Sequence, residues 1–244
     1  MTGNMMAKLV NQAPRQLALM HPSPVLRQVD DALWQVASGV FTSNCYISGQ
    51  AGSKGCVLID PGLDPASIDA QLTLLGKMPE AVLCTHGHFD HVGGASYFQQ
   101  KYQVPVYLPA ADVKTMQSSN FLMMAVKIAM RIELPDVTQM PTNGSTVEVG
   151  GTSYTYQPLP GHTPGSCLVR VGQHTFSGDS LYARGVGLSH LPGENKVLLR
   201  AGIRALWDTL PADMLVCPGH GPVARFGDIC RENLALLEFL KTSD

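Results

Sequence analysis

The chain has 244 residues, of which 45% are hydrophobic and 15% are charged, and its formal net charge is −2. This composition is typical of a globular protein with a sizeable core, and the lack of a basic cluster excludes a nucleic-acid backbone as the main partner. No run reaches the roughly 18 to 20 apolar residues that a membrane-spanning helix needs. The first thirty residues lack the continuous apolar stretch of a signal peptide, so we expect a cytoplasmic protein that does not associate with membranes.

The first half of the chain predicts strands followed by alternating helices and strands. Residues 1–29 are predicted to be a loose leader, and residues 30–244 a single domain. Short strands near residues 32–38, 44–49 and 55–62 precede a helix in which Asp64 is a plausible cap, Pro65 fits the first turn and Gly76 fits the end. The strand EAVLCT then leads into a loop and a further helix, and VPVYLP is the next strand. Two helical stretches follow, which Pro135 is expected to end.

The second half of the chain predicts a similar order of strands and helices. Strands are predicted near residues 145–150, 152–160, 167–172 and 174–179, followed by a helix around 199–210, a strand at 213–219 and a last helix at 228–241. Two mixed β-sheets packed face to face, with helices outside, satisfy that order. The six cysteines show no CxxC pairing and are predicted to be buried free thiols of a reducing compartment.

The loop CTHGHFDHVGG, residues 84–94, holds three of the 8 histidines of the chain. In an extended loop the side chains of residues two apart point the same way, so His86 and His88 can reach one ion. Asp90 and His91, at the turn into the next helix, can reach a second ion. Four ligands are too few for two four-coordinate metals, so the spacing predicts that further ligands come from elsewhere in the chain.

Three candidates for these ligands stand at the ends of predicted strands, beside glycine. PLPGHTPGS contributes His162, TFSGDSLY contributes Asp179 and LVCPGHGP contributes His220. Glycine and proline favour tight loops in which the backbone comes close to an ion. The resulting five histidines and two aspartates suit two divalent ions bridged by a carboxylate and a water-derived hydroxide. Each of these three motifs alone is a weak signal, and an ordinary polar loop residue is the alternative for each.

The motifs THGHFDH, GHTPGS, SGDSLY and PGHGP, in this order, resemble the metallo-β-lactamase superfamily from about residue 33 to the C-terminus. The resemblance implies a four-layer αββα sandwich with the metals in a cleft at one edge of the two sheets. It also implies one metal held by His86, His88 and His162, and a second held by Asp90, His91 and His220, with Asp179 bridging. The stretch LIDPG matches the family's early acidic loop, which implies that Asp60 orients a ligand.

Within the superfamily, FSGDSLYARGVGLSHLPGENK followed by a helix and VCPGHGP is similar to the glyoxalase II-like branch, the hydroxyacylglutathione hydrolases. This resemblance implies a binuclear metal-dependent hydrolase in which a metal-bridging hydroxide cleaves a small thioester or ester. Asp90 would orient the nucleophile and accept its proton. Fuller members of the branch have an additional C-terminal helical region that helps to bind glutathione. The segment after His220 is enough for one helix, which argues against glutathione thioesters as the substrate.

Other interpretations stay open at this point. A persulfide dioxygenase resembles this branch but uses a single iron at positions of the His86, His88 and Asp179 type. A lactone hydrolase would differ only in the pocket, and a metal-binding protein that keeps the fold for sensing or interaction conflicts with seven intact ligands. Exported β-lactamases conflict with the lack of a signal peptide and with an aspartate at position 179, where most zinc-dependent groups have cysteine. Two zinc ions are the default for this ligand set, which also admits iron or manganese.

Two further features bear on the substrate, which we expect to be a small molecule. The methionine-rich segment 111–132 can line a pocket for an apolar acyl group, because thioethers adapt to varied shapes. The alternative is that it packs on the core or on a second subunit, which would make the protein a homodimer. Tyr182, Arg184 and Lys196 follow Asp179 and are candidates to hold a substrate carboxylate, with solvated surface as the alternative.

Overall fold

The computed structural model describes residues 23–242. Its first sheet has seven strands that neighbour one another in chain order, with antiparallel pairing from β1 to β4 and parallel pairing from β4 to β7. The strands of this sheet are β1 (Val25–Asp30), β2 (Leu33–Ser38), β3 (Ser43–Ser48), β4 (Gly55–Ile59), β5 (Met78–Leu83), β6 (Val106–Pro109) and β7 (Thr138–Met140).

The second sheet has six strands in the order β13-β12-β11-β10-β9-β8. These strands are β8 (Ser145–Val149), β9 (Thr152–Pro158), β10 (Cys167–Val171), β11 (His174–Gly178), β12 (Leu215–Pro218) and β13 (Ala224–Arg225). β8 to β11 pair antiparallel, β11 and β12 pair parallel, and β12 and β13 pair antiparallel. The carboxyl ends of β9, β11 and β12 therefore lie at the same edge of the sheet, and each of these ends precedes one of the predicted ligands.

Helices cover the outer faces of both sheets. They are α1 (Pro65–Leu75), α2 (Phe89–Val92), α3 (Ala95–Tyr102), a 3-10 turn (Ala110–Asp112), α4 (Val113–Gln117), α5 (Ser119–Ala125), α6 (Lys196–Trp207), α7 (Phe226–Glu232) and α8 (Leu234–Lys241). α1 has the predicted caps, since the Asp64 side chain accepts a hydrogen bond from the Ser67 amide at 3.2 Å and Gly76 takes the left-handed conformation.

The core follows from the alternation of side chains along each strand. In β4, Leu58 packs in one buried cluster with Ile68 of α1, whereas Ile59 packs between the two sheets with Phe176 of β11. On the far face of the second sheet, Val216 of β12 packs with Ile203 of α6. The layers are helix, sheet, sheet and helix, which confirms the predicted four-layer αββα sandwich.

The N-terminal boundary of the domain differs from the prediction. β1 begins at Val25 and pairs with β2 from Val25 opposite Ala37 to Asp30 opposite Leu33. The folded domain therefore begins before residue 30, because the backbone of β1 supplies the edge strand of the first sheet. The rest of the predicted leader, residues 1–22, lies outside the described residues.

The helical stretch predicted to reach Pro135 ends at Ala125. Lys127 has a left-handed backbone with φ of 63°. The side chain of Asn120 then binds both backbone groups of Ile132, accepting from its amide at 2.9 Å and donating to its carbonyl at 3.0 Å. These hydrogen bonds hold the following segment in an irregular conformation and replace those of a continued helix.

The last helix, predicted over residues 228–241, is two helices that meet at Asn233. The Asn233 side chain is buried, and its oxygen accepts from the Leu236 amide at 3.1 Å and from the Gly185 amide at 3.0 Å. Asn233, at the break between α7 and α8, therefore connects the C-terminal helices to the loop that follows Asp179.

All six cysteines are free, and five of them are buried as predicted, whereas Cys230 is partly exposed. Within residues 23–242, none of the helices combines the length and the apolar character needed to cross a bilayer.

Candidate metal centre

The structure brings all seven predicted ligands to one edge of the sandwich. His86 and His88 lie in the loop after β5, and Asp90 and His91 lie in α2, directly behind that loop. The other three ligands follow β9, β11 and β12. The seven side chains form two groups whose ligand atoms lie within 4.8 Å of one another, one of His86, His88 and His162 and one of Asp90, His91, Asp179 and His220.

The first group consists of three buried imidazoles. His162 Nε2 lies 3.0 Å from His88 Nδ1, and the His86 ring contacts both of the other rings edge to face. His86 Nε2 is buried without a hydrogen-bond partner. Burial, reinforced by the neighbouring histidines, lowers the pKa of His86 well below its ordinary value and lowers the pKa of His88 to about 4. Both rings are neutral at physiological pH and offer lone pairs to a cation.

The second group combines two imidazoles with two carboxylates. His220 Nε2 lies 3.1 Å from Asp90 Oδ2 and 3.5 Å from Asp179 Oδ2, and His91 Nε2 lies 3.4 Å from an oxygen of each aspartate. Asp90 Oδ2 and Asp179 Oδ1 are buried and have no aligned hydrogen-bond donor. Polar atoms that converge in this way without hydrogen bonds form the environment that a cation completes.

The charges within the second group stabilise one another. Burial opposes ionisation of both carboxyls, but His91 and His220 lower the pKa of Asp90 and of Asp179 below the ordinary value. Burial also opposes protonation of His220, but the two aspartates raise its pKa to about 10. They raise the pKa of His91 in the same way. The carboxylates are therefore ionised, and they favour protonation of the two imidazoles that face them.

Asp179 contacts both groups. Its Oδ2 lies 3.6 Å from His162 Nε2 of the first group and 3.5 Å from His220 Nε2 of the second. Its Oδ1 lies 3.4 Å from His91 Nε2. Asp179 therefore lies between the two groups of candidate ligands.

Four of the five histidines are oriented by hydrogen bonds from Nδ1, which leave Nε2 directed at the centre. These bonds run from His86 to Thr85 Oγ1 at 3.1 Å, from His91 to Asp60 Oδ2 at 3.1 Å, from His162 to the Gly187 carbonyl at 2.8 Å and from His220 to the Thr42 carbonyl at 2.8 Å. Such partners fix the ring and the tautomer of a metal ligand. Imidazole and carboxylate donors arranged in this way fit divalent transition-metal ions.

Asp60 holds both ends of the histidine loop. It is buried, has an unusual positive φ of 53°, and accepts hydrogen bonds from the Thr85 amide and hydroxyl, each at 2.7 Å. Its Oδ2 also accepts from His91. A non-glycine residue in this backbone conformation is uncommon and is held by its surroundings.

A further buried carboxylate, that of Asp112 in the 3-10 turn after β6, was not predicted from the sequence. It is 0% exposed and accepts hydrogen bonds from Gly87, between His86 and His88, and from Gly165, in the loop that contains His162. Burial raises its pKa, against the opposing effect of its donors. No sequence signal near residues 110–112 indicates this contact, because its partners lie far away along the chain.

A cavity of about 470 Å³ opens onto the candidate metal ligands. One side of it is formed by His88, Asp90, His162, Asp179 and His220. The rest is mostly apolar, with Phe41, Phe89, Val126, Leu188 and Leu191 in the lining. Val126 is the contribution of the methionine-rich segment, whereas Met116 and Met123 of that segment are buried in core clusters.

Of the three residues predicted to hold a substrate carboxylate, the structure places Tyr182 in this cavity. The Tyr182 ring contacts the His220 ring edge to face, with centroids 6.2 Å apart. Burial and the nearby charge of Asp179 raise the pKa of Tyr182, so the phenol stays a hydrogen-bond donor. Arg184 and Lys196 are exposed and do not line the cavity.

Comparison with known proteins agrees with this architecture. The model of the metallo-β-lactamase superfamily matches residues 38–220, and the chain belongs to this superfamily. The chain is 27% identical over 202 residues to the hydroxyacylglutathione hydrolase GloC of Haemophilus influenzae, a match that covers 79% of this chain and 92% of that protein. Its fold and metal-binding cluster make it a metal-dependent enzyme of the hydrolase type.

Two solved structures are similar over most of this chain. One is the B3 metallo-β-lactamase BLEG-1, with a TM-score of 0.75 and 28% identity, covering 86% of this chain and 100% of that one. The other is a protein crystallised in a di-iron-bound form, with a TM-score of 0.72 and 32% identity, covering 82% of this chain and 98% of that one.

Proposed function

We propose that the protein is a binuclear hydrolase, with zinc as the default metal, that cleaves a small thioester or ester bearing an uncharged, apolar acyl group. The observation that supports this most directly is the second ligand group. Asp90, His91, Asp179 and His220 stand together beside the three histidines of the first group. When bound, two divalent ions supply a hydroxide nucleophile at neutral pH and polarise the scissile carbonyl.

In this proposal Asp90 orients the nucleophile and accepts its proton. It lines the cavity, and the neighbouring imidazoles lower the pKa of its carboxyl, so it is ionised. Tyr182 lines the same cavity as a protonated phenol and can donate a hydrogen bond to the substrate oxygen on which negative charge develops.

We propose a thiolate leaving group, because the carboxyl groups in the cavity wall are ionised and cannot protonate an amine. Among the described residues that line it, the carboxyl groups are those of Asp90 and Asp179, both held ionised. An amine must be protonated to depart, whereas a thiolate, with a pKa of about 8.5, departs without an acid. The name of GloC refers to a thioester, and the match covers 92% of its length, which also supports thioester chemistry.

The acyl group follows from the wall of the cavity. Phe41 and Val126 are 45% and 42% exposed at its rim, beside the partly buried Leu188 and Leu191. An apolar acyl group would cover this surface and remove it from water. Within the described part of the chain, neither lysine nor arginine lines the cavity, so the wall around the acyl group offers a substrate carboxylate no basic side chain of this kind.

The test combines metal analysis with a matched substrate panel. Metal content is measured on protein purified without added metal. Hydrolysis is measured with S-octanoyl-N-acetylcysteamine, S-octanoylglutathione, an octanoyl-homoserine lactone and a β-lactam. We expect about two ions per chain and the highest kcat/KM with the neutral thioester. Asp90→Asn should lower kcat by about 10²- to 10⁴-fold, whereas Asp213→Asn, at an exposed carboxylate outside the cavity, should not.

Other outcomes would contradict the proposal in identifiable ways. One iron per chain, oxygen consumption with a persulfide and no hydrolysis would show the dioxygenase that remains the alternative. Preference for the lactone would show a lactone hydrolase of the same fold. Preference for the glutathione thioester would leave the thioester reaction standing but refute the uncharged substrate.

A further inference from the structure

We infer that Asp112 is the positioning residue of the first metal group, because its single carboxylate joins the two separate loops that supply His86, His88 and His162. The inference rests on the proposed metal centre and concerns how one half of it is assembled. Asp112 is not a metal ligand in this arrangement, since its oxygens are occupied by hydrogen-bond donors from the chain.

The first contact is to the loop after β5. The amide of Gly87 donates to Asp112 Oδ2 at 2.7 Å. Gly87 lies between His86 and His88, and the orientation of its peptide sets the direction in which both imidazoles leave the backbone. Fixing this one amide therefore fixes two ligands of the group relative to each other.

The second contact is to the loop after β9. Thr163, next to His162, donates its hydroxyl to Asp112 Oδ2 at 2.7 Å, and the Gly165 amide donates to Oδ1 at 2.7 Å. Ser166 closes this turn, since its oxygen accepts from the Thr163 amide at 3.0 Å and lies 2.6 Å from the Thr163 hydroxyl. The motif GHTPGS is thus a turn built around a carboxylate from another part of the chain.

Close packing makes this arrangement specific. A Cβ at position 165 would lie 2.7 Å from both the backbone nitrogen and Oδ1 of Asp112, so the loop can approach only with glycine there. Asp112 itself is 0% exposed. A side chain buried to this extent cannot exchange its donors for water, so the two loops are held at one separation.

The chemistry of the acceptor is also specific. Each oxygen of Asp112 faces a backbone N–H, from Gly87 at Oδ2 and from Gly165 at Oδ1. A carboxylate accepts at both oxygens, whereas an amide must present its NH₂ group to one of these two N–H donors. Asp112→Asn therefore keeps the shape of the side chain but separates at least one loop from it.

The effect should be confined to the first group. The side-chain hydrogen bonds of Asp112 within residues 23–242 go to Gly87, Thr163, Gly165 and, at 3.4 Å, Thr115. The second group has its own support, with His91 bound to Asp60 and His220 bound to the Thr42 carbonyl. Loss of the Asp112 carboxylate should weaken one metal position and spare the other.

The test measures zinc affinity by competition with a chromogenic chelator in two single-site backgrounds. In His220→Ala the second group is incomplete, and adding Asp112→Asn should lower the zinc affinity of the remaining first group about 10- to 100-fold. In His88→Ala the first group is incomplete, and adding Asp112→Asn should leave the affinity of the second group unchanged. Comparing the two backgrounds isolates the coupling between Asp112 and each group.

Two further variants separate positioning from general stability. Asp69→Asn removes a carboxylate that joins α1 to α3 through Tyr102 at 2.6 Å and Lys101 at 2.5 Å, and it should leave zinc affinity unchanged in both backgrounds. Thr163→Val removes one donor to Asp112 and keeps the residue volume. It should lower affinity in the His220→Ala background even if Asp112→Asn does not fold.

The inference would be wrong if Asp112→Asn or Thr163→Val lowered the melting temperature while zinc affinity in the His220→Ala background stayed the same. An equal loss of affinity in both backgrounds would also refute it. Absence of thioester turnover in the wild type would contradict the proposed reaction, whereas the zinc affinities would still decide the role of Asp112.

Discussion

His91 donates its Nδ1 hydrogen to Asp60 Oδ2 at 3.1 Å, while its Nε2 lies 3.4 Å from both Asp90 and Asp179. The same Asp60 oxygen accepts the hydroxyl of Thr85, which lies 3.1 Å from His86 Nδ1. One buried carboxylate therefore determines which nitrogen of a histidine faces each of the two metal groups.

Asp60→Asn should weaken metal binding without removing a ligand. Its amide oxygen can still accept from the Thr85 amide, which turns the NH₂ group toward His91 Nδ1. His91 would then carry its proton on Nε2, the atom that faces the centre, and we expect about 10- to 100-fold lower affinity at the second group. Chelator titration measures this, and the ¹⁵N shifts of His91 report the tautomer. Unchanged affinity and unchanged shifts would contradict the role of Asp60.

The two groups should differ in their dependence on pH. In the metal-free protein the aspartates raise the pKa of His220 to about 10, so zinc must displace a proton there at pH 7. Affinity of the second group should rise with pH, about tenfold per unit for each proton displaced. In the first group the pKa of His88 is lowered to about 4, so above pH 5 protons compete little with zinc for that ring. Zinc per chain should rise from about one toward two between pH 5 and pH 8, and simultaneous loss of both ions on acidification would contradict this.

The same shift predicts the pH dependence of stability without metal. The folded-state pKa of His220 is raised above its unfolded value. The contribution of protonated His220 to the free energy of unfolding is therefore complete below about pH 6.5 and is lost as pH rises toward about 10. The difference in unfolding free energy between the wild type and His220→Gln should therefore shrink from pH 6.5 to pH 10. Urea denaturation of the chelator-treated proteins measures this difference in unfolding free energy. A difference that grew with pH would contradict a raised pKa of His220 in the folded protein.

Gly219→Ala should remove the second ion. A Cβ at this position would overlap the carboxylate of Asp179 and the ring of His91. We expect about one ion per chain, loss of turnover and a cost in stability of about 1–3 kcal/mol from overpacking. Gly221→Ala is the matched control, since its Cβ would meet no atom within 4 Å. It should cost about 1–2 kcal/mol for its left-handed backbone but retain both ions, as measured by metal analysis and thermal unfolding.

Asn233→Ala should affect the substrate more than the metals. The Asn233 amide donates to the carbonyls of Tyr182 at 3.1 Å and Gly185 at 2.9 Å, and so holds the loop that continues to Leu188 in the cavity wall. We expect a loss of about 1–3 kcal/mol in unfolding free energy and a raised KM with unchanged metal content. Asn195→Ala, which removes the cap of α6 but keeps the hydrogen bonds of Asn233 to Tyr182 and Gly185, should cost about 1 kcal/mol and leave KM unchanged.

The local parts of this molecule could be predicted from the sequence. The caps of α1 at Asp64 and Gly76 were predicted because capping depends on residues three or four positions apart. The alternation of apolar residues and the order of the elements were sufficient to predict two sheets with helices outside. The end of α5 was predicted wrongly because it depends on Asn120 binding Ile132 across an irregular turn.

The supports of the site could not be predicted in this way. Asp112 binds Gly165, 53 residues away, and Asn233 binds Tyr182, 51 residues away. No sequence pattern around an aspartate or an asparagine indicates a hydrogen-bond partner so far away along the chain. Phe41 is another example, since it lies in a turn between β2 and β3, and its ring reaches Phe89 and His220 only in the folded protein.

The candidate ligands and their division into two groups could be predicted from the sequence, because the spacing of His86, His88, Asp90 and His91 and the glycines beside the other three are properties of short segments that also carry the family resemblance. The nitrogen of each imidazole that faces the centre and the side chains of the cavity wall became clear only from the folded chain. The difference lies in the range of the interactions. A loop sets the directions of its own side chains, but the distances between loops are set by strand ends that meet at one sheet edge and by buried hydrogen bonds that join them.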